Sequence, residues 1–165
     1  MKNIYLIGMP GCGKSALGRA VSKKLCMNFI DADEYIVRKS GKTIDEIFAE
    51  CGNDGFRKIE SECLLELAEL DSSIVATGGG IVMASDNIPV MKNSGYVIFI
   101  DTPLENILNN SSLSGRPLLK DKGRIYDLYR ERIEKYKSCA DCIYLNSGTK
   151  AQAEEELFEI CKKII

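Results

Sequence analysis

The 165-residue chain has no histidine, an absence that removes the commonest partner of cysteine in structural zinc sites. It also lacks a basic surplus: 22 Lys and Arg stand against 24 Asp and Glu, leaving a net charge of -2. Such a chain has no footprint for a nucleic-acid backbone, so a small-molecule partner is favoured. No apolar run reaches the ~18 residues a membrane span needs. The N-terminus passes straight into a strand pattern, leaving no room for a signal peptide. The expected setting is therefore cytoplasmic, with no membrane partner. Seven cysteines, an odd count without secretory features, read as reduced thiols packing as small apolar fillers. Cys139-Ala140-Asp141-Cys142 has C-x-x-C spacing, but there is no second such pair to complete a zinc site. It follows a helical segment and leads into a strand pattern, the reverse of a thioredoxin-like context, so neither metal nor redox function is expected there.

What is present begins with an apolar strand, Ile4-Tyr5-Leu6-Ile7, that runs into Gly8-Met9-Pro10-Gly11-Cys12-Gly13-Lys14-Ser15 and then a helical stretch from Ala16. This is G-x-x-x-x-G-K-[ST] in its strand-loop-helix context. The glycines let backbone N–H groups turn in on phosphates, and the helix N-terminus adds partial positive charge behind them. Lys14 can reach the β- and γ-phosphates, and the Ser15 hydroxyl can coordinate Mg²⁺. The pattern implies a nucleoside triphosphate site. Cys12 lies in this positive field, which makes its thiol a candidate for alkylation that bound nucleotide would shield.

Length and a 45% hydrophobic composition suit one domain over residues 1–165. Further strand patterns at 28–31, 73–77, 96–101 and 142–146 alternate with helical ones. Thr43 with Glu46, and Thr149 with Gln152, have capping-box spacing at two helix starts. Residues 55–70 repeat apolar side chains at helical intervals, with Ile59, Cys63, Leu64 and Leu67. The alternation predicts an α/β fold, a mostly parallel sheet covered on both faces.

Ligands of such sheets sit beyond the carboxyl ends of the strands. After the second strand, Asp31 and Asp33 would point in related directions on a continuing strand, one toward Mg²⁺ and one toward an acceptor hydroxyl. A helix N-cap plus a solvated acid explains them equally well. After the third strand, Gly78-Gly79-Gly80 either admits a ligand close to the backbone or makes a tight turn. Asp101 ends the fourth strand, the position of a Walker-B aspartate on pattern alone. The polar segment 109–123 is long enough for an active-site lid, and its Arg116 could stabilise charge on a transferring phosphoryl group or be a plain surface arginine.

Together, the phosphate loop, Asp31-Ala32-Asp33, Phe56-Arg57 with Glu60, Gly78-Gly79-Gly80, Arg116-Pro117-Leu118-Leu119 and Arg132 with Tyr136 resemble the shikimate kinase family in order and spacing, from residue 4 to about 146. The resemblance implies a three-layer P-loop kinase fold, a central parallel sheet of five strands flanked by helices, with a substrate subdomain at about 32–60 and a lid at about 109–123. It implies transfer of the γ-phosphoryl group of ATP to the 3-hydroxyl of shikimate, a step of chorismate and aromatic amino acid biosynthesis, with Mg²⁺ and a monomeric enzyme. Gly11, Cys12, Gly13, Lys14, Ser15 and Ala16 would hold ATP, and Ser15 and Asp31 the metal. Asp33, Arg57, Gly79, Gly80 and Arg132 would bind shikimate, with Asp33, Lys14 and Arg116 catalytic. Asp101 then becomes a strand-end residue.

Guanidinium forks suit a carboxylate, and phosphoryl transfer needs mainly alignment and charge neutralisation, so missing histidine costs little. The chain departs from the family pattern at Asn53, where a glutamate is common, at Asn109-Asn110-Ser111, where an arginine is usual, and at Ala16, where threonine is frequent. The arginine often found after the last strand is missing around 146–149. Other small-metabolite kinases, such as gluconate or nucleoside monophosphate kinases, share the phosphate loop, and a non-catalytic nucleotide-binding regulator is a third reading.

Overall fold

A computed structural model describes residues 2–109 and 122–165. Arg116 and nearly all of the expected lid lie outside the described residues. Strand β1 (Asn3–Ile7) leads through the phosphate loop into α1 (Lys14–Leu25), followed by β2 (Asn28–Asp31), α2 (Ala32–Ser40), α3 (Ile44–Ala68) and β3 (Ser73–Ala76). A short 3₁₀ turn (Ile81–Met83), α4 (Asn87–Ser94), β4 (Gly95–Asp101) and α5 (Leu104–Leu108) come next. Helix α6 (Lys122–Cys139), β5 (Cys142–Leu145) and α7 (Lys150–Ile164) complete the chain.

The five strands form one parallel sheet in the order β2-β3-β1-β4-β5. Central β1 is buried throughout, with Ile4, Tyr5, Leu6 and Ile7 at 0% exposure, as expected of a parallel strand covered on both faces. Each such side chain contributes about 1.5–3 kcal/mol by leaving water. Helix α1 packs on β1, β2 and β3, while α3 packs against α4, and α4 and α6 pack on β4. Helix α7 then packs beside α1. The same order places the loop after β1 between the ends of β3 and β4, the switch point where doubly wound sheets bind ligands.

The strands found agree with the expected ones within a residue, Thr77 and Asn146 falling just beyond theirs. Both capping boxes form, at Thr43 with Glu46 and at Thr149 with Gln152. The expected helix from residue 55 is the second half of a longer element. Residues before and after Gly52 are helical, and Gly52 kinks the helix at φ 68° and ψ −171°, a conformation essentially reserved for glycine. The bend lets α2 and α3 close on a small core of their own, Ile36, Ile47, Phe56 and Cys63.

Candidate active site

In the loop after β1, Gly11 and Gly13 adopt φ of 78° and 104°, a region that side chains rarely enter. Lys14 opens α1 and is buried, and its Nζ donates to the carbonyls of Gly8 and Met9, each at 2.9 Å. It also approaches Cys12 Sγ at 3.6 Å. Cys12 is only 2% exposed. The thiol is closed to reagents in this conformation, so the alkylation expected of Cys12 requires the loop to open.

Ser15 Oγ donates to Asp31 Oδ2, while Asp31 Oδ1 accepts from the backbone N–H of Asp33 at 3.0 Å and of Glu34 at 3.2 Å. Strand β2 thus ends at Asp31, which caps α2, and Asp33 lies in the first helical turn rather than on a continuing strand. The two explanations of the acidic pair merge, since one carboxylate both caps the helix and reaches the loop serine. A hydroxyl beside a carboxylate is a hard oxygen donor set of the kind Mg²⁺ takes together with phosphate oxygens. Among the described residues no group of three His, Cys, Asp or Glu could hold a metal unaided.

Next to the loop lies a cavity of about 690 Å³. Pro10 of the loop, Asp33 of α2, Arg57 and Glu60 of α3 and the glycines 78–80 line it. Helix α6 contributes Arg124, Leu128 and Arg132, which share one face through their spacing of four. Phe48 and Phe56 stack with ring centroids 4.3 Å apart and add an apolar wall.

The charged groups are tightly arranged. Arg57 Nη1 donates to Glu60 Oε2, one helical turn further on, and Glu60 is 2% exposed. Burial raises the Glu60 carboxyl above its ordinary value, Arg57 pulls it down less strongly, and Asp33 adds to the rise. Glu60 Oε1 and Arg132 Nε are buried and have no hydrogen-bond partner among the described residues. A Cβ on Gly78 would stand 2.5 Å from Glu60 Oε1 and 3.0 Å from Asp33 Oδ1, and one on Gly80 would overlap the Arg57 guanidinium. The missing side chains are therefore required first by the protein's own carboxylates and arginine. Gly79 lies against Pro10, and its carbonyl accepts from the buried Tyr136 hydroxyl. Burial raises the pKa of that phenol, the nearby Arg132 opposing, so it stays a donor.

A family model for shikimate kinase matches residues 10–164. The chain belongs to the shikimate kinase family. A shikimate kinase of Clostridium botulinum (strain Alaska E43 / Type E3) is 49% identical to it, the match covering 100% of this chain and 98% of that one. Another from Clostridium beijerinckii (strain ATCC 51743 / NCIMB 8052) is 46% identical, over 97% and 95% of the two chains. Among solved structures, the shikimate kinase from Acinetobacter baumannii in complex with shikimate superposes with a TM-score of 0.89 at 32% identity, covering 99% of this chain and 94% of that one. The shikimate kinase from Aquifex aeolicus gives 0.83 at 34% identity, over 97% and 96%. As in those shikimate kinases, a five-stranded parallel sheet flanked by helices makes a P-loop kinase fold, and the chain is an ATP-dependent kinase.

The geometry groups the expected residues in two sets. Gly11, Cys12, Gly13, Lys14, Ser15 and Ala16 form the loop and the first turn of α1, with Asp31 at its side. Asp33, Arg57, Gly79, Gly80 and Arg132 line the cavity, whereas Asp101 ends β4 and does not. Glu60 and Tyr136 were not among the expected site residues, although their spacings of three from Arg57 and four from Arg132 are legible helical neighbours. Cys139 ends α6 and Cys142 opens β5, and burial pushes the first thiol up to about 11 and the second upward, leaving both poor nucleophiles.

Proposed function

We propose that the residues around this cavity transfer the γ-phosphoryl group of ATP to the 3-hydroxyl of shikimate, giving shikimate 3-phosphate and ADP. One observation carries the residue assignment: Arg57 and the buried Arg132, whose Nε has no partner among the described residues, meet Asp33 in one cavity beside the phosphate loop. An acceptor that is small, rich in hydroxyls and carries a single carboxylate fits that set. Two guanidinium groups fix the plane of the acid, and the backbone at Gly79 and Gly80 lies along the ring.

Lys14 exchanges its bonds to the Gly8 and Met9 carbonyls for the β- and γ-phosphates, and the loop N–H groups with Gly11, Cys12 and Gly13 cradle them. The attacking hydroxyl oxygen forms a bond to the γ-phosphorus as the bond to the β,γ-bridging oxygen breaks, and Asp33 accepts the hydroxyl proton late. Ser15 and Asp31 would hold Mg²⁺, which supplies charge neutralisation at the phosphates. Arg116, outside the described residues, keeps a role on the transferring group through sequence resemblance alone. In this reading residues 1–165 are one domain, with the substrate subdomain at about 32–60 and the lid at about 109–123. The enzyme is monomeric and cytoplasmic and needs no nucleic-acid or membrane partner. No helix among the described residues is long and apolar enough to cross a membrane.

An ADP-release assay over shikimate, quinate, gluconate and AMP tests the proposal. Shikimate should be preferred. A preference for AMP or gluconate would overturn the acceptor assignment.

A further inference from the structure

The phosphate loop is braced from behind by two residues that neither line the acceptor cavity nor form part of the loop. Thr102 lies one residue beyond β4 and Asn146 one beyond β5. Those strands are parallel neighbours with Asp101 opposite Leu145, and the Asn146 N–H donates to the Asp101 carbonyl at 2.8 Å, so the two side chains emerge together at the sheet's carboxyl end. Both converge on a single loop atom. Thr102 Oγ1 donates to the Cys12 carbonyl at 2.8 Å, and Asn146 Nδ2 donates to the same oxygen at 3.2 Å. Asn146 Nδ2 also reaches Thr102 Oγ1 at 3.1 Å.

The donor inventory closes without conflict. The single hydroxyl proton of Thr102 goes to the carbonyl, its lone pair accepts from Asn146, and the two N–H bonds of the amide serve the two acceptors. Thr102 is 8% exposed, so water does not compete freely for these bonds. Such convergence matters because of where the oxygen sits. A trans peptide is planar, and its N–H points opposite to its C=O. Holding the Cys12 carbonyl against the strand ends therefore directs the Gly13 N–H away from them. Between Gly11 and Gly13, backbone freedom is otherwise large, and an unbraced Cys12–Gly13 peptide could rotate so that its carbonyl faced an incoming phosphate.

We propose that Thr102 and Asn146 are positioning residues for the nucleotide: by fixing the Cys12 carbonyl they hold the Gly13 N–H toward the phosphates of ATP. The proposal rests on the reading of this loop as the ATP site. It predicts an effect on nucleotide and not on acceptor. Thr102→Val keeps the shape of the side chain and removes the donor, while Asn146→Ala removes the second donor from a half-buried position that tolerates truncation.

The test measures ADP affinity by calorimetry, KM for ATP and for shikimate, and the melting temperature without nucleotide, in wild type, Thr102→Val, Thr102→Ser and Asn146→Ala. Losing one such hydrogen bond should weaken ADP binding and raise KM for ATP by about three- to tenfold in Thr102→Val and Asn146→Ala. KM for shikimate should stay within about twofold, and Thr102→Ser, which keeps the hydroxyl, should restore the nucleotide parameters. Unchanged ADP affinity in both donor-removing variants overturns the proposal, whether or not the melting temperature falls, since a fall alone marks a brace of the fold. Should Thr102→Val fail to fold, Asn146→Ala decides by the same criterion. A wild-type protein that binds no ADP would instead sink the ATP-site reading itself.

Discussion

Tyr136→Phe isolates one atom of the site. The ring is fully buried and stacks on Phe99 with centroids 5.1 Å apart, a contact that phenylalanine keeps. What disappears is the hydroxyl that donates to the Gly79 carbonyl. The half-buried Gly79 carbonyl left without its donor costs about 1–2 kcal/mol. At about 2 kcal/mol, and about 2–4 °C per kcal/mol for a domain of this size, the melting temperature should fall by about 4–8 °C. The kinetic consequence follows from position. Gly79 and Gly80 form the backbone wall of the acceptor cavity, and a wall released by even a fraction of an ångström misaligns the hydroxyl with phosphorus, so kcat/KM for shikimate should fall about ten- to hundredfold. Nucleotide affinity should barely change, because no atom of the phosphate loop is bonded to this hydroxyl. Thermal melts, steady-state kinetics in both substrates and ADP calorimetry give the three numbers. A variant that melts with wild type and keeps shikimate kcat/KM within twofold refutes the argument, and one that loses stability alone reduces Tyr136 to a core residue.

Arg57→Ala and Arg132→Ala should each leave a bound carboxylate short of its partner, costing about 2–5 kcal/mol of productive shikimate binding, and kinetics within twofold of wild type would contradict the pocket. Asp33→Asn should depress turnover far more than ATP affinity; a fall in ATP binding with turnover preserved would move the residue to the nucleotide site. Burial lifts the Glu60 carboxyl more than Arg57 lowers it, so the folded chain keeps this proton to higher pH than the unfolded chain. The stability linked to Glu60 is therefore full below the ordinary value of 4.5 and is lost as pH rises through the raised one. Urea melts across that interval should show wild-type stability falling relative to Glu60→Gln, and parallel pH profiles of the two proteins would refute it.

Which parts of this site could be read from the chain depends on whether a residue's task is set by its neighbours in sequence or in space. The phosphate loop is legible because phosphate geometry imposes a fixed local spacing, and the strand ends are legible because apolar runs stop there. Asp31 illustrates the boundary. Its position announced an N-cap and its place after a strand announced a metal ligand, and only the approach of Ser15 shows that both fit one carboxylate. The burial of Glu60 could not be seen, since its Oε1 lies against the open backbone of Gly78, which is brought beside it only by the fold. Thr102 and Asn146 carry no signal beyond being polar after a strand. Their meaning comes from the strand order β2-β3-β1-β4-β5, which alternation of strand and helix does not specify.

The two arginines of the cavity are unequal for a physical reason. Arg57 is already bonded to Glu60, a carboxylate kept out of water that orients the guanidinium and offsets part of its charge. An acceptor's acid group arriving there must share the cation with Glu60, whose remaining oxygen Oε1 is itself without a partner among the described residues. Arg132 feels the charge of Glu60 but makes no salt bridge among the described residues, and its Nε is a buried donor without a partner there. A buried unpaired donor costs free energy until something accepts from it. Binding an acid group therefore relieves a cost at Arg132 while it displaces an existing interaction at Arg57. On the proposed assignment Arg132 would supply the attraction, and Arg57, fixed by Glu60 against the bare backbone of Gly80, the direction.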